Sequence, residues 1–483
     1  MTSGHAPVGS APAVTVRCGT TLWAEVTSHI HQADGDEHGG ALLCGVATGG
    51  RGTRLLANRF IPAIDGVDYV PGTLGHRALT ASFIRRTTRI AAGRNLACLF
   101  LHGHGPGDSV AFSPVDLASH ERGYPALLDI TNQIVGALVL ASKAVAGDIW
   151  LPETGRAEVV TTTILGNNIL TLTPSPRRTP TKRHEDDRQS RLFGDQGQAI
   201  LRRSKVGVVG VGGAGMLAVE WLTRLGVGDL IVVDPDRVDL TNLTRLPGAT
   251  RWDARAFLTA PSRPEWLQNF GRRIATPKVR VARRLARQAG QGTTVTAFAT
   301  DVRAREAAMA LTDCDYLVLA ADTATARHLV NIISHQYLIP AIQVGVKIPV
   351  ADDGTVGDLF TAVRPVRPDG GCLRCAGLID PERLAVESLP GSQRQQAAYG
   401  TGQPAPSVIT LNASAVSHAL TQMVFGLSGL NQQSEVLHLR HHARRSAQIA
   451  GEVRRDWDCP VCGTGGVVGL GDLRPLPLPG GPL

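Results

Sequence analysis

Val206-Gly207-Val208-Val209-Gly210-Val211-Gly212-Gly213-Ala214-Gly215 is the stretch from which the fold of most of this chain can be read. The short apolar run reads as a buried strand, the glycines as a tight turn, and Gly215 to Leu225 as the helix that follows. Asp229 to Val233 reads as the next strand and ends at Asp234-Pro235-Asp236. A later strand, Tyr316 to Ala320, leads to Asp322. This strand–turn–helix–strand order predicts a doubly wound parallel sheet, an α/β fold. Gly210, Gly212 and Gly215 have the spacing that lets backbone amides approach a phosphate at a helix N-terminus. Asp234 stands where a carboxylate can bind a ribose hydroxyl. Taken alone, this fingerprint would point to NAD or FAD.

The surrounding residues point elsewhere. The run from Asp234 through Asp236, Val238 and Asn242 to Arg245 resembles the D-x-D-x-V-x-x-x-N-L-x-R signature of the ThiF/MoeB family, relatives of ubiquitin-activating enzymes. Arg188-Gln189, Phe193-Gly194 and Gln198 before the first strand, Pro277-Lys278, and Ala320-Ala321-Asp322 with Arg327 and Asn331 extend the resemblance over about residues 185 to 465. It implies ATP and Mg²⁺ as cofactors and adenylation of a C-terminal carboxylate. It assigns Arg245 and Lys278 to the phosphates, Asp322 to Mg²⁺, Asp234 to the ribose and Asn242 to the phosphate region. Gly210, Gly212, Gly213, Gly215 and Asp236 would line the nucleotide. Arg188 matches an arginine that, in dimeric relatives, reaches into the partner's ATP site, so a homodimer through this domain is expected. The residue types suit the chemistry, because activating a carboxylate requires cations on the triphosphate and a carboxylate on Mg²⁺.

Upstream, Ala41 to Val46 and Leu96 to Leu101 read as buried strands, with a helix from Gly75 to Ala92 between them. His102-Gly103-His104 lies at a strand end, where alternate residues point to one side of the chain and can reach one metal. Asp116 could supply an oxygen ligand and leave the fourth position of a zinc for water. Glu37 is the candidate base, and Ser113 could stabilise an oxyanion. A bare His-x-His is weak. With Ser113-Pro114-Val115-Asp116 behind it and Glu37 before a glycine-rich strand, the order resembles the JAMM (MPN/JAB-like) metalloproteases over roughly residues 15 to 165. The resemblance implies His102, His104 and Asp116 as ligands of a catalytic zinc, and Glu37 as base. Asp34 and Asp36 lie beside Glu37 and compete for that role. An N-terminal JAMM-type α/β domain followed by a Rossmann-like ThiF/MoeB-type domain is therefore the expected fold.

Cys372-Leu373-Arg374-Cys375 and Cys459-Pro460-Val461-Cys462 are two C-x-x-C knuckles whose four thiolates suit a closed structural zinc site. Ala376 to Ala413, where many ubiquitin-activating relatives carry a nucleophilic cysteine, contains none. Cys44, Cys98 and Cys314 read as core residues. A thioester step on this chain is thus not expected. His438, His441 and His442 read as surface residues.

The chain has 483 residues, a net charge of +8 and a hydrophobic share of 43%. Its aromatic share of 4% argues against a stacking platform for single-stranded nucleic acid. Short basic runs such as Arg177-Arg178 and Arg440 to Arg445 fit either solvated surface or an acidic partner. No signal peptide and no run of ~18 apolar residues is found, so a cytoplasmic protein without a membrane partner is expected. The expected organisation is a disordered start (1–14), a JAMM-like domain (15–172), a Pro- and Thr-rich linker (173–187), an adenylation domain (188–468) and a disordered tail (469–483). The leading expectation is a fused peptidase and adenylyltransferase acting on a ubiquitin-like or sulfur-carrier protein ending in Gly-Gly. The alternatives are an adenylating enzyme that tailors a short peptide, and an inactive scaffold that docks a ubiquitin-like fold.

Overall fold

The computed structural model describes residues 13–71, 77–178, 180–181, 183–368, 370–389, 406–432 and 438–479. Most of the expected disordered start, the beginning of the expected helix at Gly75, and the last residues of the expected tail lie outside this set. The chain forms two compact units. One comprises residues to Gly166 with Leu170–Arg178 and Gly469–Arg474, and the other Asn167–Ile169, Thr179–Val468 and Pro475–Leu483.

The first unit is built on β1 (Val14–Gly19), β2 (Gly39–Gly49), β3 (Gly52–Pro62), β4 (Ala97–Gly103), β5 (Val135–Leu140), β6 (Val145–Leu151) and β7 (Gly155–Leu165). The strands run in the order β1-β3-β2-β4-β5-β6-β7, and β7 pairs back with β1, which closes the sheet into a barrel-like ring. β8 (Ile169–Leu172) follows β7 in the order. The central strands are apolar on both faces because both are covered. Leu42, Leu99, Leu101 and Leu138 pack with Val26 and Ile30 of helix Thr20–Ile30. Their neighbours Ala41, Leu43, Cys98, Phe100 and Ala137 pack with Phe83 and Tyr124 of helices Ala81–Ala92 and Pro114–Thr131. That is why the expected strands read as continuous apolar runs and not as alternation. Helix Ala81–Ala92 starts later than Gly75, where the Thr80 side chain accepts from Phe83 N and caps it. Part of the expected tail is ordered: Gly471 bridges Val46, and the Asp472 carboxylate accepts from Thr48 N at 2.8 Å.

The second unit has β9 (Lys205–Val209), β10 (Asp229–Val233), β11 (Thr294–Phe298), β12 (Tyr316–Leu319), β13 (Ala341–Lys347), β14 (Phe360–Val366), β15 (His438–His442) and β16 (Ala447–Gly451). Their order is β11-β10-β9-β12-β13-β14-β15-β16. The first five are parallel and the last three antiparallel, so the expected all-parallel sheet is in fact mixed. The order reverses between β9 and β12, which opens a crevice at their carboxyl ends. Val206 and Val208 face the core shared with Met216, Val279 and Ala415. Gly207 faces the other way, toward Leu311, Leu317 and Cys314. Of the three histidines of β15 expected at the surface, His438 and His441 are half-buried. His442 is buried, and burial together with the neighbouring Arg364 pulls His438 down to about 4.

Candidate functional site

In the second unit the crevice is lined by the glycine turn. Gly210 has φ +84, and a Cβ there would lie 2.7 Å from Ala321 N, so only glycine lets the ends of β9 and β12 meet. A Cβ on Gly215 would overlap Gly210 O at 1.8 Å. Gly212 faces open space and is the N-cap of helix Gly213–Arg224, with no side-chain cap on that terminus. The first amides of the helix thus keep the positive end of its dipole free for an anion.

Asp234 follows β10 and is buried. Its Oδ2 accepts from Val211 N at 2.6 Å and its Oδ1 from Asp236 N at 2.8 Å. Burial raises its pKa, against the pull of Lys278. Lys278, the first residue of helix Lys278–Ala289, donates from Nζ to Asp236 Oδ2 at 2.7 Å and lies 4.0 Å from Asp234 Oδ1. Asn242 is buried and caps its own turn, accepting from Asp239 N at 3.2 Å. Arg245 leaves that turn and donates to Thr241 O at 3.0 Å. Asp322 follows Ala321, beside Gly210, and is exposed. The structure therefore gathers the glycine turn, Asp234, Asp236 and Lys278, with Asp322 at the next strand end. Arg188 is exposed on helix Asp187–Arg203.

Cys372, Cys375, Cys459 and Cys462 converge from the two knuckles. Their sulfurs are 3.7 Å apart for Cys372–Cys375 and Cys372–Cys459, and 3.4 Å for Cys375–Cys462. Tetrahedral zinc with Zn–S near 2.3 Å spaces its sulfurs about 3.8 Å apart, so the cluster fits one structural zinc. The Cys462 hydrogen bond lowers the pKa of the Cys372 thiol, in spite of burial. Leu373 N donates to Asn331 Oδ1 at 2.9 Å, tying the first knuckle to helix Ala324–Gln336.

In the first unit His102 Nε2 and His104 Nε2 lie 3.2 Å apart, and 3.6 and 3.7 Å from Asp116 Oδ2. Among the described residues, only this trio and the four cysteines bring three or more His, Cys, Asp or Glu ligand atoms close enough to share a metal. Asp116 is held by a capping box: Ser113 N and Ser113 Oγ donate to its Oδ2 at 2.8 and 2.7 Å. Burial opposes its ionisation, but the hydrogen bonds from His102 and Ser113 prevail and keep the carboxyl well below the usual range. Ser113 was expected to stabilise an oxyanion. In this structure its one hydroxyl proton goes to Asp116. Gly39 is paired with His102 across β2 and β4, so Glu37, two residues earlier in sequence, is near the same strand end.

The ThiF family model matches residues 186–460, more than half of the chain. The chain belongs to the ThiF family. Among the relatives of this ThiF-family chain is the SAMP-activating enzyme E1 of Haloferax volcanii, 26% identical over 283 residues, which span 58% of this chain and 88% of that one. Another is the sulfur carrier protein adenylyltransferase of Thermus thermophilus, 27% identical over 223 residues, or 44% of this chain and 75% of that one. The solved structure of E. coli MccB with ATP is 18% identical and superposes with a TM-score of 0.42 over 58% of this chain and 75% of that chain.

Sequence reasoning missed several supporting residues. Asn412, on helix Ile409–Ser428, presses Nδ2 against Gly213, where a Cβ would meet it at 2.4 Å. His120 Nδ1 donates to Asp148 Oδ2 at 2.9 Å, Arg156 donates to the same carboxylate at 2.7 Å, and the ring of Phe112 lies between those of His102 and His120. One signal was available for His120: it stands four residues after Asp116, on the same face of a helix. Asn412 gave none, being remote in sequence from the turn it touches.

Proposed function

We propose that this chain adenylates the C-terminal carboxylate of a ubiquitin-like or sulfur-carrier protein. A carboxylate oxygen would attack the α-phosphorus of ATP, the bond to pyrophosphate would break, and an acyl-adenylate would form. Lys278 and Arg245 would hold the phosphates, the uncapped helix at Gly212 would add its amides, and Asp322 would hold Mg²⁺, which shields the phosphate charge when bound. The observation that carries the reading is Lys278 packed against Asp234 and Asp236 beside that helix terminus, within the family's motif. The activities named for the Haloferax and Thermus relatives agree with it. ATP–pyrophosphate exchange tests it: exchange stimulated by a Gly-Gly-ending carrier supports the proposal, and NAD binding in preference to ATP would refute it.

The N-terminal unit is proposed as a JAMM-type zinc peptidase for the same class of protein. The support is the spacing of His102, His104 and Asp116, since tetrahedral zinc with ligand bonds near 2.1 Å separates its ligand atoms by about 3.4 Å. Zinc held there would supply a water of lowered pKa and polarise a peptide carbonyl. Glu37 would take the proton, and Ser113 would keep Asp116 ionised and aimed. Adenylation of a short peptide remains a second reading, favoured by the lack of cysteine from Ala376 to Ala413. Exchange with a free peptide against a Gly-Gly protein separates the two.

A further inference from the structure

Between Arg245 and Lys278 the chain makes an excursion whose ends are both fixed at the nucleotide site. Arg245 opens it. At its close Val238 N donates to Thr276 O at 2.9 Å and Lys278 N to Asp236 O at 3.0 Å. Its body is anchored as well. Asp253 is buried and accepts from Arg284 at 2.7 Å. Gly271 of helix Glu265–Ile274 sits so close to Leu258 and Thr259 that a Cβ would lie 2.8 Å from each side chain.

The outer face of this anchored segment is apolar and uncovered. Trp252 is 68% exposed, Trp266 71%, Phe270 51% and Phe257 49%. The rings of Trp252 and Phe257 stack with centroids 5.6 Å apart. Arg255 lies 5.0 Å over Trp252 and donates to Ile274 O, which ties the two aromatic groups together. At about 100° per residue, Gly271, Leu267, Ile274, Phe270 and Trp266 form one apolar arc of the helix. Only Gly271 of that arc is buried. An amphipathic helix that turns most of its apolar arc to solvent marks an interaction site.

The charge around it is mostly positive. Arg251, Arg263, Arg272 and Arg273 are exposed, and Glu265 is the only exposed carboxylate from 251 to 274. Tryptophan and arginine together are the residues that dominate protein interfaces. We propose that this Trp–Arg face docks an acidic, apolar-centred surface of the protein whose C-terminus is activated, holding its body while its tail reaches the crevice. The inference rests on the adenylation reading. A second copy of the chain fits less well, since a two-fold contact would set these arginines against one another.

The test is pyrophosphate exchange by the full chain. It uses the Gly-Gly-ending carrier that supports exchange and, in parallel, a short synthetic peptide copying that carrier's last residues. Trp266→Ser/Phe270→Ser and Arg272→Glu/Arg273→Glu should each raise KM for the carrier about tenfold or more, the scale of lost interface hot spots. KM for the peptide, Kd for ATP and the melting temperature should stay at the wild-type level. An unchanged carrier KM in both variants overturns docking but leaves adenylation standing. No exchange by the wild type with either substrate overturns adenylation, and docking with it. If the carrier KM is unchanged while the variants lose binding to phosphatidylglycerol vesicles, or dissociate from dimer to monomer by light scattering, the face belongs to lipid or to a second copy, and the proposal fails.

Discussion

Lys278 and Asp236 share a hydrogen bond, but they are not equals. The Lys278 side chain is 11% exposed and that of Asp236 63%. Removing the lysine leaves Asp236 in water and takes away a countercharge 4.0 Å from buried Asp234, whose bonds from Val211 N and Asp236 N remain, so the cost in stability is small. It also removes a cation from the turn where the triphosphate is proposed to lie. Lys278→Ala is therefore expected to lower carrier-dependent exchange by about a hundredfold or more while the melting curve hardly moves. Full exchange in that variant would sink the assignment of Lys278. His102 and His104 allow an independent check at the same scale. Elemental analysis should find two zinc ions per chain in the wild type and one in His102→Ala/His104→Ala; an unchanged content would remove the metal from the N-terminal unit.

At the level of elements, the excursion after Arg245 is pinned to helix Lys278–Ala289 by one buried carboxylate. Burial alone would raise the pKa of Asp253, yet bonds from Arg284 and Thr250 bring it down from 3.8 to about 2. A native pKa below the unfolded one means that the contribution to stability is fully present above pH 3.8 and is lost as the pH falls through about 2. Acid unfolding followed by circular dichroism should therefore lose part of its steepness in that window in Asp253→Asn, with a lower melting temperature at neutral pH. Identical acid profiles for the two proteins would show that Arg284 does not hold the segment through this charge. Much at this scale was legible. The strands at Val206, Asp229 and Tyr316 and the helix after Gly215 follow from apolar runs broken by glycine. The start of helix Ala81–Ala92 was set too early, because its boundary depends on the Thr80 cap and not on periodicity.

For the whole molecule, the two proposed activities should fail separately. Glu37→Ala should block cleavage of an extended carrier and leave exchange intact, and Asp322→Ala should do the reverse; loss of both activities in either variant would contradict independent sites. Cys18, Cys44, Cys98 and Cys314 are all buried, and burial pushes the Cys98 thiol up to about 12. Thiolates are scarce in such surroundings. Intact mass spectrometry after incubation with ATP and mature carrier should accordingly reveal no adduct that a reducing agent releases. An adduct on any of the four would restore the thioester step.

The sequence by itself determined the α/β class of the second unit, the glycine turn and the membership of the two clusters that could hold a metal. Each rests on residues close together in the chain or on spacings that one element can carry. Gly210 must be glycine because β9 and β12 meet there, and its neighbours Gly212 and Gly215 announce the turn without any partner in view. Only the tertiary structure decided what lies far apart in sequence. The closure of β7 onto β1, the antiparallel strands β14 to β16, Asn412 against Gly213 and Gly471 against Val46 are long-range pairings. Local propensity is indifferent to such pairings, because the energy that selects them comes from packing and backbone hydrogen bonds made only when the chain is folded. The same holds for the Trp–Arg face. Nothing local in the sequence marks Trp252 and Trp266 as exposed; their places on the surface belong to the fold.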